Sequence, residues 1–147
     1  MRFERILIII TILALVLKVC GITGGSFLFM ISASFLSVVY MVLGVPLILD
    51  IKFRDIMSIG KNFSLRCILV SFAAGVIFSS TIIGILYTTL NWMGASSILI
   101  ASLVPLAILL VINYFLNQKR SGACYFGVFR RGILLGILAL ICLLIAN

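Results

Sequence analysis

The sequence contains no histidine, and only 3 acidic residues accompany 11 basic ones. A chain without histidine lacks the usual base of a Ser-His-Asp triad and the commonest protein ligand of transition metals. Its 4 cysteines include no pair in CxxC spacing, which argues against a zinc or thiol-redox site. A glycine-rich phosphate loop is also missing from the sequence. We therefore expect a protein that is not an enzyme and that has no catalytic, metal-binding or cofactor-binding residue.

Charged residues of either sign are scarce as well. They make up 10% of the chain, whereas 65% of its residues are apolar and its mean hydropathy is +1.43. Soluble domains are about a quarter charged and about half apolar. A chain of 147 residues could not hide so much apolar surface, because small domains leave much of their surface exposed. The composition therefore indicates an integral membrane protein whose solvent is the lipid bilayer.

Long apolar runs divide the chain into candidate membrane helices, each needing about 20 residues to cross a hydrocarbon core of about 30 Å. Four runs reach about that length: 6–24, 26–49, 67–90 and 93–116. A fifth run, 132–146, would span only about 22 Å at 1.5 Å per residue, so we expect a short fifth helix. Arg130 and Arg131 precede this run and are expected to extend toward the headgroups. The predicted fold is an all-α polytopic membrane helix bundle of about five transmembrane helices, with residues 1–147 forming one membrane domain.

Basic residues occur in alternate connections between these runs, and they produce a net charge of +8. They lie at the N-terminus (Arg2, Arg5), in the loop 50–66 (Lys52, Arg54, Lys61, Arg66) and in the loop 117–131 (Lys119, Arg120, Arg130, Arg131). Basic loops of membrane proteins stay in the cytoplasm. We therefore predict a multi-pass protein of the bacterial cytoplasmic (inner) membrane, with its N-terminus cytoplasmic and its C-terminus periplasmic. The basic residues form no separate stripe, so we expect no nucleic-acid partner.

Lys18 is the one charged residue inside an apolar run. Charges within membrane helices often bind ions or substrates. Lys18 lies near the outer end of its run, however, and we favour the interpretation that its side chain reaches the headgroups. The acidic residues Glu4, Asp50 and Asp55 are all assigned to the cytoplasmic side. The sequence therefore predicts neither an acidic partner for Lys18 nor an intramembrane acid for ion coupling.

The sequence also repeats itself at a spacing of 70 residues. Segments 11–42 and 81–112 align without a gap, and they share Thr11 with Thr81, Ile12 with Ile82, Gly24 with Gly94, Ser26 with Ser96, Ser32 with Ser102 and Leu36 with Leu106. Both segments place a glycine-containing turn between two apolar runs. We infer a duplicated helical hairpin, with copies at 6–49 and 67–116. Each copy enters and leaves on the same side, so the repeats are parallel, unlike the inverted repeats of many transporters.

The two hairpin turns resemble the membrane region of gliding-motility and type IX secretion stator proteins of the Bacteroidetes and of related small membrane proteins. In that family a helix ends in an aliphatic residue and Lys, and His-Trp-Pro-Gly-Ala opens the next helix. The matching positions here are Lys18, Gly24 and Gly25 in the first turn, and Trp92, Gly94 and Ala95 in the second. The resemblance implies a similar hairpin fold. It does not extend to the motor function, because the family's intramembrane acidic residue has no counterpart in this sequence.

Small residues recur at helical spacing in the later runs, and they are candidates for close helix contacts: Ser71, Gly75, Ser79, Gly84, Gly132 and Gly136. Small side chains let helix backbones approach closely, which supplies much of the association energy in lipid. The pattern is compatible with a partner helix in this chain, in a second copy or in another membrane protein. Pro46 and Pro105 are expected to kink their helices.

These observations favour a structural or assembly subunit that packs against other membrane helices. A small transporter or channel is the main alternative, with a path between the two repeats around Pro105 and the serines Ser32, Ser34, Ser79 and Ser80. An immunity- or toxin-type membrane protein is a third possibility. Polar residues that converge on one water-filled cavity would favour transport, whereas a dry bundle with an exposed small-residue ridge would favour the subunit.

Overall fold

The computed structural model describes residues 2–49, 65–119 and 123–146, and every regular element in these ranges is an α-helix. The helices, in chain order, are α1 (Arg2–Val19), α2 (Gly25–Ile48), α3 (Leu65–Thr89), α4 (Ala95–Lys119) and α5 (Ala123–Ala146). Each helix corresponds to one apolar run, so the prediction of an all-α helix bundle is confirmed. Residues 50–64 of the predicted loop 50–66 lie outside the described residues, as do residues 120–122 of the predicted loop 117–131. The rest of the second predicted loop is helical and belongs to the end of α4 and the start of α5.

Four of the described helices are long and apolar enough to cross a membrane: Gly25–Ile48, Leu65–Thr89, Ala95–Leu116 and Phe126–Leu144. The chain is therefore an integral, multi-pass membrane protein. α1 differs in composition, because its 18 residues include Arg2, Glu4, Arg5 and Lys18. At 1.5 Å per residue α1 is about 27 Å long, close to the thickness of a hydrocarbon core.

Consecutive helices run antiparallel, and α3 lies at the centre of the bundle, in contact with α2, α4 and α5. α1 packs mainly on α2, at the edge of the bundle. Because α1, α3 and α5 point the same way, the two tight turns and the last residues of α5 share one end of the bundle. We refer to this end as the turn end. The start of α1, Arg66 and Arg130 lie toward the opposite end, which we refer to as the basic end.

The two tight turns have the same backbone hydrogen bonds at a spacing of 70 residues. The amide of Ile22 donates to the carbonyl of Leu17 at 3.2 Å, and the amide of Trp92 donates to the carbonyl of Tyr87 at the same distance. Gly24 and Gly94 both have positive φ, 91° and 77°. Side chains rarely tolerate that conformation, which explains why both turns contain glycine at this position. Three residues earlier the two turns differ in residue type but share the conformation, since Gly21 and Asn91 both have positive φ, 71° and 54°.

α2 bends three residues before Pro46. Leu43 leaves the helical conformation there, with φ −108° and ψ 15°. Proline cannot donate a backbone hydrogen bond, and its ring crowds the preceding turn, so a bend is expected at this place. α4, by contrast, extends from Ala95 to Lys119 with Pro105 inside it.

The fifth helix is longer than the sequence predicted. It begins at Ala123 and contains 24 residues, which corresponds to about 36 Å rather than the short helix expected at 132–146. The prediction was wrong because it treated Arg130 and Arg131 as the boundary of the helix. Arginine is a good helix former, and a buried guanidinium is tolerated where it meets a carboxylate. α5 is therefore long enough to cross the bilayer completely.

Candidate functional site

The small residues of α3 face other helices of the same chain. A Cβ atom built on Gly75 would lie 2.7 Å from the Tyr40 carbonyl oxygen and 3.0 Å from the Gly44 Cα atom, so α2 and α3 touch backbone to backbone here. One turn further along α3, the Ser79 hydroxyl lies 2.8 Å from the Ser37 hydroxyl of α2. Ser71, on the same stripe, is fully buried. This stripe is therefore covered by α2 and is not open to a partner protein.

The remaining small residues pack in the same way. A Cβ atom on Gly84 would lie 2.9 Å from the Ser102 hydroxyl of α4. On α5, a Cβ atom on Gly132 would lie 2.8 Å from a Leu110 methyl group, and one on Gly136 would lie 3.6 Å from a Leu106 methyl group. Both leucines belong to α4. These glycines set the distances between α3, α4 and α5 within one chain.

The residues of the turn motif lie together at the turn end. Gly24, Gly25, Gly94 and Ala95 form the turns and the first residues of α2 and α4. A Cβ atom on Gly25 would lie 2.8 Å from the Lys18 amide nitrogen, so α2 starts in direct contact with the last turn of α1. In the second turn Trp92 packs edge-on against Tyr87, with ring centroids 4.6 Å apart. These residues have a structural role in the turns.

The serines of the alternative transport path do not meet. Ser32 donates to the Phe29 carbonyl and Ser80 to the Val76 carbonyl, each within its own helix. Ser34 is exposed on the bundle surface, whereas Ser79 is buried against α2. Ser32 lines a cavity between α1 and α2, but neither Pro105 nor the other three serines line it.

A recess with an apolar lining lies between α1 and α5. α2 and α3 form its floor, and α1 and α5 stand apart as its walls. Its inner part is a cavity of about 210 Å³. The walls include Ile8 and Ile12 of α1 and Leu134 of α5, whereas Phe29 and Ile85 contribute to the floor. We call this recess the α1–α5 groove.

An ion pair joins the two walls toward the basic end of the groove. Arg131 of α5 donates to Glu4 of α1 at 2.8 Å, and the Tyr40 hydroxyl of α2 donates to the other Glu4 oxygen at 2.8 Å. Glu4 is only 4% exposed. The expectation that Arg131 extends to the headgroups was therefore wrong, because a buried carboxylate satisfies its charge instead. Glu4 lies in the first turn of α1, at the basic end.

Lys18 lies at the other end of the groove, where a second cavity of about 360 Å³ opens beside it. Leu15 and Leu138 line both cavities, so the second cavity continues the first toward the turn end. Neighbouring side chains cover the Lys18 ammonium nitrogen, and it has no hydrogen-bond partner among the described residues. Lys18 lies in the last turn of α1, near the outer end that the sequence indicated, but the end of its side chain is enclosed by the protein.

The threonines beside Lys18 do not compensate its charge. The Thr88 hydroxyl donates to the Gly84 carbonyl at 2.8 Å, and the Thr89 hydroxyl donates to the Ile85 carbonyl at 2.9 Å. Asn91 and Cys142 complete the polar part of the lining. Glu4 is 14 residues from Lys18 along α1, which places it about 21 Å away. The groove thus has an unpaired cation at one end and a neutralised ion pair at the other.

One face of α1 carries the two charged residues that this helix contributes to the groove and the apolar residues between them. Glu4, Ile8, Thr11, Leu15 and Lys18 follow one another at spacings of three or four residues, which places them on one side of a helix. The sequence analysis considered the charges separately and missed this stripe. A charge at each end of an apolar helical stripe was the signal that could have identified the groove.

The chain matches no protein-family model, and no curated protein or solved structure shows significant similarity to it. Among the described residues, no group of three or more histidine, cysteine or acidic side chains could hold a metal ion. The candidate site therefore depends on the geometry of the groove.

Proposed function

We propose that this protein is a non-enzymatic membrane protein that works by binding, as a structural or assembly subunit of the bacterial cytoplasmic membrane. Its binding surface is the α1–α5 groove. The observation that carries this proposal is an apolar recess between two helices, with an ion pair between its walls toward one end. The small-residue stripes cannot serve as the binding surface in this proposal, because helices of the same chain cover them.

An empty groove would be costly. An apolar recess that nothing fills loses the van der Waals contacts of the side chains that line it. Ile12 and Leu134, which line the cavity, are 45% and 61% exposed at the bundle surface. Apolar material from the membrane can therefore enter between the walls. A bound occupant removes this cost and links the chain to its surroundings.

The transport alternative has less support in this geometry. Ser32 and Ser80 donate to backbone carbonyls of their own helices, and Ser79 hydrogen-bonds to the Ser37 hydroxyl. The inner cavity has an almost entirely apolar lining. A solute path through a membrane protein needs polar groups that face the solute.

We also infer that the two hairpins are copies of one unit. The matching hydrogen bonds and positive-φ positions of the two turns support this inference. In addition, Phe29 and Leu99 are buried 70 residues apart, as are Leu36 and Leu106. Duplication explains why α1 and α3 run in the same direction.

Site-specific photo-crosslinking tests the proposed binding surface. A photoreactive phenylalanine analogue at Ile12 or Leu134 should give one discrete adduct in intact membranes. The matched control positions are Val104 and Ile108, which are each 55% exposed on α4 and lie outside the groove. The control positions should give only diffuse labelling by bulk lipid. Equal labelling at all four positions would show that the groove has no defined occupant and would contradict the proposal.

A further inference from the structure

Lys18 and the cavity beside it point to the chemistry of the occupant. We propose that the α1–α5 groove binds an anionic phospholipid, with an acyl chain along the apolar part and the lipid phosphate in the cavity beside Lys18, where a rotation of the Lys18 side chain brings the ammonium to the phosphate. This inference rests on the proposed function, since it names the occupant of the same groove.

The unpaired ammonium is the first reason. A cation covered by protein and deprived of hydrogen bonds is unfavourable unless an anion joins it. The described residues around Lys18 supply no carboxylate, and the threonine hydroxyls already donate to backbone carbonyls. The anion must therefore come from outside the described part of the chain. A phosphate group accepts several hydrogen bonds from an ammonium, and lysine commonly binds phosphate as a point charge.

The position of Lys18 is the second reason. It lies one residue before the end of α1, at the level where the tight turns leave the bundle. A lipid headgroup occupies this level when the helices span the bilayer. The apolar cavity begins next to Lys18 and leads toward the middle of the bundle through Leu15 and Leu138. A charged head followed by an apolar chain matches this order of polarity.

The described residues at the basic end of the groove offer no free cation, which is why the lipid headgroup binds at Lys18. Arg131 is the other cation that lines the groove, and Glu4 already neutralises it at 2.8 Å. The Tyr40 hydroxyl also donates to Glu4 and offers no anion site. The distance of about 21 Å between the levels of Glu4 and Lys18 exceeds half the thickness of a 30 Å hydrocarbon core, so one acyl chain fits between the two ends.

Lipid retention by the purified full chain tests the proposal. Native mass spectrometry in mild detergent should show one phosphatidylglycerol per chain. Phosphatidylcholine with the same acyl chains, which adds a positive charge to the headgroup, should bind at least tenfold more weakly. Lys18→Gln should abolish this preference, and Lys18→Arg should preserve it. Arg66→Gln is the matched control, because Arg66 is an exposed cation at the basic end. It should leave the preference unchanged.

Two further measurements separate the lipid from other anions and verify folding. Glycerol phosphate, which has the head but no chains, should not displace the lipid. Displacement by it would show a site for free anions and overturn the proposal. In detergent without added lipid, the melting temperature of Lys18→Gln should equal or exceed that of the unmodified chain, because the substitution removes an unpaired, covered cation. A large loss of stability would assign Lys18 a structural role instead.

The failure of this inference differs from the failure of the proposed function. Equal retention of both lipids, unchanged by Lys18→Gln, would overturn the phospholipid while discrete adducts at Ile12 and Leu134 persisted. Adducts to a second membrane protein would also overturn the lipid but support the binding surface. Diffuse labelling at Ile12 and Leu134 would contradict both the groove as a binding surface and the phospholipid as its occupant.

Discussion

At the scale of single residues, a few backbone and side-chain contacts decide how the helices pack. Gly75 and Gly44 bring α2 and α3 together without any side chain between them. Glu4, Tyr40 and Arg131 join three helices through one carboxylate. Membrane helices gain little from the hydrophobic effect when they associate, so such contacts determine their arrangement.

The effect of replacing a glycine on the free energy of unfolding should depend on which atom lies next to the new methyl group. In Gly75→Ala the new methyl group meets backbone atoms at 2.7 and 3.0 Å, so α2 and α3 must move apart. We expect a loss of about 1–3 kcal/mol in the free energy of unfolding, measured by denaturant titration in mixed micelles. Gly136→Ala is the control, because its methyl group would lie 3.6 Å from Leu106. It should be neutral or slightly stabilising, since alanine favours the helix. Equal effects of the two substitutions would contradict the backbone contact.

The ion pair allows a double-mutant test. Arg131→Met leaves the Glu4 carboxylate buried with only the Tyr40 hydroxyl as a partner, and breaking a buried pair costs up to about 3–5 kcal/mol. Because Arg131 is 22% exposed, we expect about half of that loss in the free energy of unfolding. The double variant Glu4→Met/Arg131→Met should be more stable than Arg131→Met alone. Additive losses in the two single variants would show that the side chains do not interact.

At the scale of elements, α1 is the most independent helix. It packs mainly on α2, and the Glu4–Arg131 pair ties it to α5 across the groove. The residues of α1 fit this position at the edge of the bundle. The stripe from Glu4 to Lys18 faces the groove, whereas residues such as Ile9 and Leu13 are exposed at the bundle surface. α5 is the second wall and is as long as α2.

The orientation of the elements can be tested with a native cysteine. Cys20 is a free, exposed thiol in the first turn, whereas Cys142 is free but buried. The positive-inside pattern predicts that a membrane-impermeant maleimide labels Cys20 in intact cells, measured by a mass shift of the purified chain. In a Cys20→Ser background, Lys61→Cys should react only after the membrane is permeabilised. Labelling of Lys61→Cys in intact cells would reverse the predicted topology.

At the scale of the whole molecule, the internal helix contacts and the proposed binding surface lie in different places. α3 lies at the centre, and the small residues of α3 and α5 face inward. The groove faces outward between helices that do not cover it. A variant can therefore damage the fold or the binding surface separately.

We expect two substitutions, Gly132→Leu and Leu134→Trp, to separate damage to the fold from damage to the groove. Gly132→Leu places a large side chain against Leu110 and Phe78, so it should reduce the yield of folded protein. Leu134→Trp lies on an exposed wall of the groove and should change the free energy of unfolding by less than about 0.5 kcal/mol. It should nevertheless weaken the crosslink formed at Ile12. Loss of the folded protein in both variants would show that the groove is part of the structural core.

The class of fold and the positions of the helices followed from composition and from apolar run length, because only a helix satisfies its own backbone in lipid. Four of the five predicted runs agree with the described helices to within a few residues at either end. The fifth was predicted too short because Arg131 was considered without its partner. Positive charge in a helix is unfavourable in lipid until a carboxylate meets it, and nothing local to Arg131 indicates Glu4.

The sequence by itself determined that this chain is a bundle of apolar helices joined by alternate neutral and basic connections. Those properties depend on local spacing and on hydrophobicity, which each segment carries alone. Only the tertiary structure decided that the small residues face inward, that Glu4 meets Arg131 at a distance of 127 residues, and that Lys18 is covered without a partner. These facts depend on which helices become neighbours, and residues far apart in the chain contain no local record of that choice.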